Sequence, residues 1–176
     1  MGRYWLIGLL RSLCGLLGCR ATAAFYHQGL RALEAGDYPQ ATHALSLALV
    51  EDPQHVGGLT ALGIAHYRQD AFEGAIDALA RAQALTPDEP RIRLYLGLAA
   101  LKQGPVNQAR QHLATSLERA HSRALQEQTV RVISVLDEAA VSDAMREYLA
   151  DSLEMAFQQA QQLEALRQEV RTLEES

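Results

Sequence analysis

Residues 56–89 read VGGLTALGIAHYRQDAFEGAIDALARAQALTPDE, and this stretch decides the fold. Two apolar runs flank a short polar turn, Gln69-Asp70-Ala71, and the stretch closes around Pro87. Moved by 34 residues in either direction, its small and apolar residues return. Gly29, Gly63 and Gly97 form one column, and Ala41, Ala75 and Ala109 a second. Leu45, Leu79 and Leu113 form a third, and Ala48, Ala82 and Ser116 a fourth. Pro53 and Pro87 keep the same spacing, with His121 in the third place. A fixed period of this length marks a repeat architecture, in which one helix pair cannot bury its apolar face alone and at least three must stack.

The columns have a physical sense. Glycines and alanines at these positions let the two helices of a unit approach closely, and the leucines fill the space between them. Turn signals separate the helices: Ala35-Gly36-Asp37-Tyr38-Pro39 in the first unit and Gly104-Pro105 in the third. Pro39, Pro90 and Pro105 suit a first helical turn, where a missing N–H costs nothing. Asp70 followed by Glu73 has the spacing of a capping box.

These residues resemble the tetratricopeptide repeat family, whose units are helix–turn–helix pairs of 34 residues. The units read as 22–55, 56–89 and 90–123. Unit two is the cleanest, with Leu59, Leu62-Gly63, Ala75, Leu79, Ala82 and Pro87. The end units deviate: Gln28 replaces an aliphatic residue, and Arg93 replaces a bulky one. The resemblance implies an all-α solenoid of three such units (22–123) with a C-terminal helical extension.

No glycine or proline follows Pro105. Val130, Val132, Ile133, Val135 and Leu136 predict a helix over about 123–138 within a capping segment, 124–140. Segment 141–176 reads as a long amphipathic acidic helix over about 143–174, capped by Ser142 or Asp143. Its stripe is Leu149, Leu153, Ala156, Ala160, Leu163, Leu166, Val170 and Leu173. Only the last four keep a heptad register, so packing on the chain itself and self-association through 141–176 stand side by side.

Composition excludes several classes. At 48% hydrophobic and 6% aromatic residues, the chain is neither wholly disordered nor sheet-like. Its net charge is −5, yet residues 1–33 contain no acid, and residues 137–176 carry ten acids against Arg146, Arg167 and Arg171. Phosphate binding needs clustered Lys and Arg, which are absent, so no nucleic-acid role is expected. Both cysteines, Cys14 and Cys19, lie in the first 20 residues, which leaves no disulfide framework or Cys-based zinc site for the remainder. The six histidines show no paired-ligand spacing, so no metal and no cofactor is expected.

Segment 1–21 opens MGRYWLIGLLRSLCGLLGC. Arg3, an apolar run and small residues before Cys19 describe a secretory signal, although Arg11 splits the run. Leu16-Leu17-Gly18-Cys19 resembles the bacterial lipobox, which implies lipid attachment at Cys19 and a membrane-anchored lipoprotein of the cell envelope. For this segment the alternatives are a membrane-surface helix or a helix packed on the protein body; for the chain the alternative is a cytoplasmic adaptor or a small structural subunit of a larger complex.

In the tetratricopeptide family the first helix of each unit lines a concave groove. The matching positions are Tyr26, His27, Leu30 and Leu33 in unit one, and Thr60, Ala61, Ile64, Tyr67 and Arg68 in unit two. Unit three supplies Arg91, Leu94, Tyr95, Leu98, Leu101 and Lys102. The surface is apolar and aromatic with a basic rim of Arg68, Arg91 and Lys102, suited to the apolar face of a helical peptide from a protein partner or to the chain's own C-terminal helix. The subtype that clamps acidic chaperone tails is a poor match, because of its clamp positions only Arg91 carries a suitable charge. No catalytic motif occurs, and Tyr26, His27 and Tyr67 read as peptide contacts rather than an active site.

Overall fold

A computed structural model describes residues 22–103, 105–117, 122–138 and 141–175. All regular structure among them is α-helical: α1 over 22–34, α2 Tyr38–Glu51, α3 Val56–Tyr67, α4 Phe72–Leu85, α5 Pro90–Gln103, α6 Val106–Leu117, α7 Arg123–Glu138 and α8 Asp143–Glu174. They form three helix pairs, α1/α2, α3/α4 and α5/α6, followed by the helical extension α7 and α8. The chain divides into two compact units, one ending at Pro87 and the other beginning at Asp88.

In the first unit the periodic glycines are contact points. A Cβ placed on Gly29 would lie 2.5 Å from Cγ of Leu45, and one on Gly63 would lie 2.5 Å from Cγ of Leu79. Ala41, Leu45 and Ala48 on α2, and Ala75, Leu79 and Ala82 on α4, have no solvent exposure. Helix α3 packs against both α2 and α4 and is buried almost all round, from Gly58 to Ala65.

The turns repeat with the same period. Gly36 has φ +77° and closes α1, with the Asp37 N–H donating to the Ala32 carbonyl at 2.9 Å. Thirty-four residues on, Asp70 has φ +57° and closes α3, with the Ala71 N–H donating to the His66 carbonyl at 3.0 Å. The expected capping box does not form. The backbone spends Asp70 on the left-handed residue after α3, so Ala71 becomes the N-cap of α4 and no side chain caps it. Asp37 does cap α2, accepting from the Gln40 N–H at 3.1 Å. Pro39 lies in the first turn of α2 and Pro90 opens α5. Pro105 precedes α6, and its carbonyl accepts from Ala109 at 3.1 Å. The third-unit positions Gly104 and His121 lie outside the described residues.

The second unit repeats the contact and then caps it. A Cβ on Gly97 would lie 2.7 Å from Cδ2 of Leu113. Helix α7 packs on α6, turning Leu125, Thr129, Val132 and Leu136 inward while Val130 and Val135 face solvent. Arg110 of α6 pairs with Asp137 of α7 at 2.8 Å. Ser142 caps α8, accepting from the Met145 N–H at 3.3 Å. Leu149, Ala150 and Leu153 bury the first half of α8, which packs on α5 and α7. From Gln161 to Glu175 every residue is exposed. No helix among the described residues is long and apolar enough to cross a membrane.

Candidate functional site: the first helices of the repeats

In the first unit, α1 presents Tyr26 and Leu30 half-buried and His27 exposed. The Tyr26 ring meets His55 edge-on at 4.5 Å and lies 5.5 Å from His27. His55 is the N-cap of α3: its Nδ1 accepts from the Gly58 N–H at 2.8 Å, a role the sequence reading missed. Gly57 lets this aromatic corner close, because a Cβ there would sit 2.8 Å from the Tyr26 hydroxyl. On α3, Ile64 and Tyr67 are buried, only 4% and 3% exposed. Tyr67 stands 6.1 Å from Phe72, ring to ring, and Arg68 is half-buried at the end of the helix.

In the second unit, the face of α5 that carries Tyr95, Leu98 and Lys102 packs against α8. Lys102 pairs with Asp151 at 2.8 Å. The Tyr95 hydroxyl donates to Oε1 of Glu154 at 3.4 Å, and its ring meets Phe157 edge-on at 6.1 Å. Lys102 and Tyr95 stand two helical turns apart on α5, and Asp151, Glu154 and Phe157 stand three residues apart on α8, so the helices run antiparallel here. Leu98 between them is fully buried, whereas Arg91 is exposed.

Beyond Phe157 the two helices part and leave a cavity of about 480 Å³ within the second unit. Pro90, Arg91 and Leu94 of α5 form one wall, and Phe157, Ala160 and Glu164 of α8 the facing one. Glu89, Ser116, Ser122, Leu125, Thr129 and Gln161 complete the lining. Two histidines lie elsewhere, each held below the usual imidazole range: His66 by burial, and His112 by burial and then by the positive charge of Arg93. Among the described residues no cluster of His, Cys, Asp or Glu could hold a metal ion. Cys19, the lipid-attachment residue of the sequence reading, lies outside the described residues.

Paired helices locked by small residues at a 34-residue period define an all-α fold of the tetratricopeptide-repeat kind. Residues 26–90 match the family model described as tetratricopeptide repeat. Among curated proteins none matches the sequence. Solved structures of the same fold include the Yersinia enterocolitica type III secretion translocator chaperone SycD, with a TM-score of 0.61 at 16% identity, covering 65% of this chain and 82% of that one. SycD in complex with a peptide of the translocator YopD matches with a TM-score of 0.57 at 21% identity over 65% and 88%. The first tetratricopeptide domain of Spaghetti (RPAP3), bound to an HSP90 peptide, matches with a TM-score of 0.61 at 16% identity over 68% and 92%.

Proposed function

We propose that this chain is a non-catalytic protein-binding scaffold or assembly factor that recognises an amphipathic helical segment of a partner protein. One observation carries the reading: the face of α5 bearing Tyr95 and Lys102 already holds a helix, α8, through an ion pair, an aromatic contact and a tyrosine hydroxyl. The corresponding face of α1 in the first unit keeps Tyr26, His27 and Leu30 accessible. SycD and Spaghetti, which share the fold, each have a solved complex with a peptide, which supports a protein-binding use in general. The test is a pull-down with wild type and the variants Leu30→Asp and Arg91→Glu, each checked for an unchanged melting temperature. Loss of the wild-type partner is expected, and identical partner sets from all three proteins would sink the reading.

The finer proposal is a membrane-anchored lipoprotein of the bacterial envelope, supported by Leu16-Leu17-Gly18-Cys19. Intact mass from the native host tests it: residues 1–18 lost and acyl mass gained is the expected result. Unprocessed mass would favour the cytoplasmic adaptor instead. Self-association through 141–176 is a further proposal, supported by Leu163, Leu166, Val170 and Leu173, each more than half exposed.

A further inference from the structure

We infer that the exposed end of α8 is the seam of a homodimer, in which a second copy of this chain docks in reverse as a short antiparallel coiled coil; this rests on the self-association reading of 141–176. Leu163, Leu166, Val170 and Leu173 follow one another at spacings of three, four and three, and all four are exposed. Those are the a and d positions of two heptads, the pattern with which one helix seats another. Leu163, Leu166 and Val170, with Arg167 and Arg171 beside them, frame an open apolar depression of the kind that takes a side chain from a facing helix. The seam lies beyond Leu149, Ala150 and Leu153, where α8 is buried, so docking a copy here disturbs no existing contact.

Charge selects both the occupant and its direction. With Leu163 and Val170 at a, and Leu166 and Leu173 at d, the e flank carries Arg167 and Glu174 and the g flank carries Gln162 and Glu169. In a parallel pair the e flank of one copy meets the g flank of the other. Glu174 would then oppose Glu169 twice, and Arg167 would find only Gln162. In a reversed pair each flank meets its own kind, because the twofold axis crosses the seam. Leu163 lies opposite Leu173 of the second copy, Leu166 lies opposite Val170, and Arg167 faces Glu174 once on each side of the axis. The cost is a single like-charge contact, Glu169 against its own copy. Arg167 leans on Glu164 of its own helix at 3.6 Å with 69% of its side chain exposed, so it can reach a second carboxylate. Two heptads bury little surface, and the dimer is weak and reversible.

The experiment is sedimentation of the full chain from about 10 μM to about 1 mM, a range in which a weak complex becomes populated. Wild type is expected to pass from monomer to dimer. Leu166→Asp should stay monomeric with its helical circular dichroism retained, since Leu166 is exposed in the monomer. Arg167→Glu and Glu174→Arg should each weaken the dimer about tenfold, because two attractive pairs become repulsive. An equimolar mixture of these two variants should recover wild-type association, because each supplies the charge that the other lacks. A parallel dimer gives the opposite sign for Glu174→Arg, which then places a cation against Glu169. Tightening by Glu174→Arg would overturn the reversed arrangement and leave self-association standing. Association that survives Leu166→Asp would overturn the seam. Wild type that stays monomeric throughout would overturn self-association with it and leave the scaffold reading untouched.

Discussion

Gly63 and Leu79 meet where no further carbon fits: a Cβ on Gly63 would lie 2.5 Å from Cγ of Leu79 and 3.2 Å from the Ala75 carbonyl oxygen. Leu79 itself has no solvent exposure. Gly63→Leu therefore spreads α3 from α4, with an expected loss of about 2–4 kcal/mol, at or above the usual cost of overpacking. Gly63→Ala gains up to about 1 kcal/mol of helix propensity and still loses stability through the same clash. Urea unfolding of both variants checks this, and a midpoint equal to wild type for Gly63→Leu would remove the close contact from the account.

Asp70 occupies the left-handed turn that Gly36 occupies one period earlier, at φ +57° against +77°. A residue with a Cβ pays for that conformation, and glycine does not. Asp70→Gly is expected to stabilise the chain by about 0.5–1 kcal/mol, while Gly36→Val destabilises it by at least about 1 kcal/mol. Thermal melts of the two variants should move in opposite directions.

The grip of α5 on α8 comes from burial more than from charge. Asp151 keeps 55% of its side chain exposed opposite Lys102, so Asp151→Ala should cost less than about 1 kcal/mol. Leu153, fully buried in the same helix, should cost about 2–5 kcal/mol on truncation to alanine. Denaturant unfolding ranks the two, and the reverse order would mean that the ion pair dominates.

His112 and His66 give stability a slope with pH. Burial keeps each below the ordinary histidine value of 6.5, and Arg93 adds to the effect at His112. The unfolded chain then takes up protons before the folded one does. This contribution is complete above pH 6.5 and is lost as pH falls through that value and below. His112→Gln should flatten the decline in stability between neutral pH and pH 5. Parallel slopes for variant and wild type in that window would count against the effect.

The helix pairs were legible because their cause is local and periodic: a small residue opposite a leucine, every 34 residues. Helices α7 and α8 were legible for a different reason, since apolar spacing without a breaker predicts their extents. The capping box failed because the motif lists only residue types. Whether Asp70 caps the next helix or closes the previous one depends on its backbone angle, and a left-handed φ took it out of capping range. The candidate groove positions came from the family resemblance, and the sequence did not show which of them α8 would cover. Nothing in Tyr95 or Lys102 says that Glu154, Phe157 and Asp151 will meet them; that pairing depends on where α8 returns in space. The nearest available signal was the spacing of three residues from Asp151 to Glu154 to Phe157, beside the Leu149–Leu153 stripe.

Helix α8 is one continuous rod of 32 residues with two kinds of neighbour. Its first half leans on α5 and α7, while from Gln161 onward its amides are shielded only by their own hydrogen bonds. A free helical segment that short is marginal in water. Deuterium uptake should therefore run as a gradient along a single secondary-structure element, fast at Val170 and slow at Leu153. A protease acting on the native protein would cut within the exposed half of this rod before it reached the repeats.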